Sequence, residues 1–113
     1  MDKQELCPLE DIEDDDAVGM VARVSGKQRN IFVIRRGGHV HAYVNWCPHN
    51  QVLIDQIPGQ FFNSEKTMLR CSKHGALFQI NDGLCVEGPC EGESLQPLKC
   101  IVDNGVIYLE DCG

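Results

Sequence analysis

The sequence predicts an all-β protein, and three observations carry that reading. Apolar and β-branched runs of four to seven residues alternate with Gly, Asn and Asp turns along the chain. No stretch sustains a helical period over three turns. Near the end, Asp103-Asn104-Gly105 separates Cys100-Ile101-Val102 from Val106-Ile107-Tyr108-Leu109. Asn-Gly accepts the positive φ angles of a type I′ turn, which predicts a hairpin there.

The elements follow in order. Glu10-Asp11-Ile12-Glu13-Asp14-Asp15-Asp16 is read as a solvated loop between the first two strands. Gly19 to Val24 and Ile31 to Arg35 flank a polar turn, Ser25-Gly26-Lys27-Gln28, and Gly37-Gly38 leads into His39 to Asn45. Gln60-Phe61-Phe62 and Thr67-Met68-Leu69 bracket polar Asn63-Ser64-Glu65-Lys66, a second hairpin pattern. No internal repeat, low-complexity segment or linker interrupts the chain.

Length and charge bound the rest. A chain of 113 residues is expected to form a single domain, 1–113. No window reaches the apolar length of a membrane span, and Met1-Asp2-Lys3-Gln4-Glu5 lacks the profile of a secretory signal, so the cytoplasm is the expected location. The formal charge of −7 argues against nucleic acid or an anionic membrane as partner, since both would repel the chain.

Two short clusters carry the chemistry. Cys47-Pro48-His49 and Cys71-Ser72-Lys73-His74 each pair one thiol with one imidazole. Calcium and magnesium want oxygen donors, so thiolate and neutral imidazole leave zinc or an iron-sulfur centre. Zinc modules usually group like with like, as C-x2-4-C and H-x3-5-H. Here each loop holds one Cys and one His, a split that suits two irons, one taking both thiolates and the other both imidazoles.

Cys47-Pro48-His49-Asn50 followed by Cys71-Ser72-Lys73-His74-Gly75-Ala76 resembles the paired boxes of Rieske-type [2Fe-2S] ferredoxins. The similarity continues through Phe78, Gly83, Cys85 and Gly88-Pro89-Cys90 to Leu95, with weaker matches in both flanks. The 21 residues between His49 and Cys71 exceed the usual gap, and the 60–69 hairpin absorbs the excess without moving its ends. The resemblance implies an antiparallel β-sandwich or barrel base, built from residues before about 44 and after about 95. Inserted in it is a small cluster-binding subdomain, approximately 45–92. It further implies one [2Fe-2S] cluster bound by Cys47, His49, Cys71 and His74.

Two ferric ions, two sulfides and two thiolates leave such a core formally neutral, which favours electron uptake. High-potential relatives add a cysteine to each loop and hydroxyl donors after the second box. Val52, Lys73, Ala76 and Phe78 stand at those places here, so a potential at the low end of the Rieske range is expected.

Of the seven cysteines, Cys7, Cys85, Cys90, Cys100 and Cys112 remain outside this set. They are read as small hydrophobes, with a Cys85–Cys90 disulfide as the minority reading. His39 and His41 share one strand face and are read as ordinary strand surface, and Trp46 as packing between the subdomains.

No phosphate loop and no His-carboxylate set for a mononuclear iron appears, so the chain is expected to be an electron-transfer protein and not itself an enzyme. The first reading is a monomeric single-electron carrier. It would pass electrons from a reductase to a terminal oxygenase or similar oxidoreductase, meeting basic docking faces. The alternatives are a tightly bound small iron-sulfur subunit of a larger reductase and a zinc-binding structural module.

Overall fold

The structure is a computed structural model that describes residues 2–24, 26–46, 53–54, 60–65, 67–71, 75–88 and 91–111. Within them the chain forms ten strands and one short 3-10 turn, Leu9–Asp11, and it divides into two compact units. Residues 1–44 and 98–113 form the first, and 45–97 the second.

The first unit holds the long strands. β1 (Asp2–Pro8) pairs antiparallel with β10 (Val106–Asp111), which pairs with β9 (Cys100–Asp103). β2 (Asp16–Val24), β3 (Lys27–Arg36) and β4 (His39–Val44) run in order in a second sheet, with β8 (Pro97–Leu98) beyond β4. The expected hairpin at 103–106 is present: Asp103 opposes Val106, and Asn104 and Gly105 take φ of 50° and 74°. Both central residues therefore have the sign that a type I′ turn requires. The turn after β2 is shorter than the sequence predicts, since β3 begins at Lys27 and opposes Val24 there.

Strand alternation explains the core. Ala22 and Val24 on β2, Ile31 and Val33 on β3, and Ala42 on β4 lie on one sheet face and cluster with Ile12, Ile107 and Leu109. β3 departs from alternation: Ile31, Phe32, Val33 and Ile34 are all fully buried, the pattern of a strand covered on both faces. Phe32 meets Tyr43 on the second face, ring centroids 5.8 Å apart. On the edge of β2, the Gln4 amide donates to the Arg23 carbonyl and accepts from its N–H, at 3.0 and 3.1 Å. A side chain thus takes the place of a ladder partner at that point.

The acidic run is the solvated loop expected from its charge, its acids mostly exposed, and it is also ordered by side-chain contacts. It connects β1 to β2, and the Asp14 carboxylate accepts the Gly37 N–H, Asp15 pairs with Arg36 at 3.5 Å, and Asp16 accepts the N–H of Ala17. Arg35 donates to the Ile12 carbonyl at 2.9 Å and, through Nε, to the Gly37 carbonyl at 2.9 Å. The acids hold a connection together as well as solvating it.

The second unit is built from short strands: β5 (Leu69–Arg70), β6 (Leu77–Phe78) and β7 (Cys85–Glu87), in that order and antiparallel. The predicted 60–69 hairpin is present. Phe62 bridges Leu69, the Asn63 N–H donates to the Met68 carbonyl, and the Asn63 Oδ1 accepts from the N–H groups of Thr67 and Met68. This hairpin runs directly into Cys71. Ile54, Phe61, Leu69, Phe78 and Leu95 are buried in this unit.

Candidate metal centre

Cys71 is the one sequence-predicted ligand inside the described residues, and it is fully buried at the end of β5. Cys47, His49 and His74 lie outside them, as do Val52, Lys73, Cys90 and Cys112. The geometry on the page is therefore that of the frames that carry the two boxes.

The second box is closed at its ends. The Cys71 N–H donates to the Ala76 carbonyl, and the Gly75 N–H donates to the Cys71 carbonyl, each at 2.9 Å. Gly75 has φ of 72°, a conformation that costs a side-chain-bearing residue energy and glycine little. Ala76 and Phe78, which follow, are buried.

The first box is tied by a residue that the sequence reading passed over. Asn45, immediately after β4, is 5% exposed, and its Oδ1 accepts the Ile54 N–H at 2.8 Å. The stretch holding Cys47 and His49 is thus bounded by a side-chain-to-backbone hydrogen bond between its flanks. The signal was present in the sequence only as a polar residue ending an apolar strand, too common a pattern to single out. Trp46, just before the first box, is 45% exposed.

A third segment closes against the second box. Gly88 has φ of 105°, and a Cβ placed on it would fall 2.9 Å from Ala76 Cα and 3.1 Å from Ala76 Cβ. Only a glycine lets these backbones lie so close. The segment before it is anchored by turns: Gly83 donates to the Gln79 carbonyl, Leu95 to the Gly83 carbonyl and Cys85 to the Glu93 carbonyl. The buried Cys85 thiol donates to the Glu87 carbonyl at 3.4 Å. Its proposed disulfide partner lies outside the described residues.

A closed loop carrying a buried cysteine, a tied loop flanking another Cys-x-His pair, and a glycine contact bracing the first of them fit a centre held by thiolate and imidazole. The remaining candidates lie elsewhere. Among the described residues no group of three or more His, Cys, Asp or Glu side chains could hold a metal. His39 is exposed on β4, and His41, half buried, has its pKa lowered by burial and then by His39 and Arg36. Cys100 packs against the core of the first unit, where burial and then the neighbouring Cys7 push its thiol up to about 11. That thiol stays protonated at neutral pH, which suits a packing residue.

Comparison with known proteins gives two kinds of match. The family model described as the Rieske [2Fe-2S] domain matches residues 2–102. Among solved structures, the ferredoxin of carbazole 1,9a-dioxygenase from Nocardioides aromaticivorans IC177 superposes with a TM-score of 0.77 at 22% identity, covering 98% of this chain and 99% of that one. A chain from a complex of reduced oxygenase and oxidized ferredoxin in carbazole 1,9a-dioxygenase matches with a TM-score of 0.74 at 19% identity, covering 95% of this chain and 91% of that one. The terminal oxygenase of carbazole 1,9a-dioxygenase from Novosphingobium sp. KA1 matches with a TM-score of 0.74 at 18% identity; 95% of this chain is covered but only 29% of the oxygenase. These likenesses establish the fold. No curated protein matches the sequence.

Proposed function

The chain belongs to the Rieske [2Fe-2S] domain family, and on that footing we propose that it is a single-electron carrier that takes electrons from a reductase and delivers them to a terminal oxygenase or similar oxidoreductase. Family membership implies one [2Fe-2S] cluster, and the zinc alternative falls with it. Bound, the cluster supplies reversible one-electron chemistry. Cys47 and Cys71 would hold one iron as thiolates, and His49 and His74 the other through neutral imidazole.

The chain's own residues do the rest. The Cys71–Ala76 and Gly75–Cys71 hydrogen bonds tie the ends of the second box together, and Asn45 ties the flanks of the first. Gly88 against Ala76 keeps the third segment in contact with the second box. A frame fixed before and after electron uptake keeps the reorganisation that accompanies each transfer small, as preorganised sites do.

The observation that carries the carrier reading is the shape of the match: end to end with a ferredoxin, but less than a third of a terminal oxygenase chain. No helix among the described residues is long and apolar enough to cross a membrane. A carrier must dock and leave quickly, so its encounters should rest on charge more than on a large apolar interface. With a charge of −7 it should meet a basic face.

The test begins with anaerobically purified protein, which should contain about two irons and two acid-labile sulfides per chain, as one cluster requires. Replacing Cys47, His49, Cys71 or His74 should each abolish or degrade the cluster spectrum. Stopped-flow transfer to an oxygenase should slow as salt rises toward physiological strength, where the Debye length is about 8 Å. One zinc without sulfide would refute the cofactor. A complex that survives gel filtration in high salt would refute the free carrier in favour of a bound subunit.

A further inference from the structure

Strand alternation in β5 sends Leu69 into the interior, where it is fully buried, and leaves Arg70 exposed on the opposite face. The backbone of Arg70 is held on two sides. Its N–H donates to the Phe61 carbonyl at 2.8 Å, and across the sheet it opposes Leu77 on β6. This fixes the direction in which its side chain leaves the strand.

Although exposed, that side chain lies beside Gly75. Its Nη2 and Nε lie 3.5 and 3.8 Å from the place where a Cβ on Gly75 would stand. The guanidinium therefore lies next to Gly75, the residue that directly follows His74 in the chain. A Cβ at 75 would meet the guanidinium at ordinary contact distance, so it is the φ of 72° and not a lack of space that favours glycine there.

The charge around it makes this placement matter. The unit 45–97 contains six acidic residues and three basic ones, and Arg70 is one of the three. A guanidinium remains charged at every working pH, so its field is constant. Electron uptake adds one negative charge beside the loop, and a cation close to a developing negative charge stabilises it, more so where the loop is partly shielded from water.

Resting on the carrier reading above, we infer that Arg70 sets the reduction potential upward, a fixed cation beside Gly75 that favours the reduced state. It touches neither electron donor nor acceptor and acts through the field it places on the ligand loop.

Four variants of the purified, cluster-loaded chain test this by voltammetry, with visible circular dichroism to verify the cluster. Arg70→Gln and Arg70→Met remove the charge, the second keeping the apolar stem over the loop; Arg70→Lys keeps the charge; Lys27→Gln removes an exposed cation from the other unit. The potential should shift downward in Arg70→Gln and Arg70→Met, stay near the parent value in Arg70→Lys, and be unmoved in Lys27→Gln. An unshifted potential in Arg70→Gln with an intact spectrum would overturn the assignment. So would an equal shift in Lys27→Gln, which would reduce the effect to net charge. If neither uncharged variant holds the cluster while Arg70→Lys does, Arg70 is a structural support and the inference also fails. Failure of the parent chain to form a cluster would instead refute the carrier reading.

Discussion

Gly88→Ala and Gly92→Ala form a pair whose difference isolates the contact that braces the second box. Both glycines have positive φ, 105° and 93°. A Cβ at either position therefore meets a backbone conformation that costs an L residue about 1–3 kcal/mol. At Gly92 nothing lies within 4 Å of the new atom. At Gly88 the atom falls 2.9 Å from Ala76 Cα, a backbone atom of the closed second loop that has no flexible side chain to swing aside. Overpacking of this kind adds about 1–3 kcal/mol. For a domain of this size each kcal/mol lowers the melting temperature by about 4 °C, so Gly88→Ala should melt about 4–12 °C below Gly92→Ala. Thermal unfolding followed by far-ultraviolet circular dichroism measures the midpoints, and iron and sulfide analysis of the same samples reports cluster retention. Gly88→Ala should lose cluster and Gly92→Ala keep it. Equal midpoints with equal iron content would show that Gly88 does not brace the loop, and the role given to its contact with Ala76 would have to be abandoned.

Other expectations follow from the same structure. Asn45→Ala removes the acceptor of the buried Ile54 N–H and should cost about 1–3 kcal/mol with a reduced iron content, read by urea unfolding and metal analysis. The potential should lie in the lower half of the Rieske range of roughly −150 to +300 mV, and Ala76→Ser with Phe78→Tyr should raise it by restoring hydroxyl donors; voltammetry that finds the parent near the top of the range would remove the basis of that argument. His41 has its folded-state pKa lowered from 6.5, first by burial, so the native state favours the neutral ring. The stability this represents is present above about pH 6.5 and is lost as pH falls through that value, because the unfolded chain then binds the proton more readily. The urea midpoint should therefore drop between pH 7 and 5, and the drop should be smaller in His41→Gln; an unchanged profile in that variant would assign the acid sensitivity to other groups.

Much of this protein is local and was legible in the linear sequence. The β class came from alternation, the 103–106 turn from Asn-Gly, and the 60–69 hairpin from a polar run between apolar ones, since each depends on residues within a few positions of one another. The cofactor was equally legible: the family match bears out the [2Fe-2S] cluster that the Cys and His boxes suggested. The acidic run shows what such a reading leaves out. Composition states what a residue prefers and not what lies beside it: the run is exposed as expected, but Asp14, Asp15 and Asp16 also bind the Gly37 N–H, Arg36 and the Ala17 N–H.

What only the tertiary structure decided are the contacts through space. Asn45 binds the Ile54 N–H, Gly88 lies against Ala76 twelve residues earlier, and the Arg70 side chain lies beside Gly75. None has a periodic or compositional mark. Glycine at 88 could equally have ended a strand or turned a loop. The close approach of two backbones, or of a cation to a ligand loop, is set by how short strands are stacked, and that depends on side-chain packing among residues far apart in the chain.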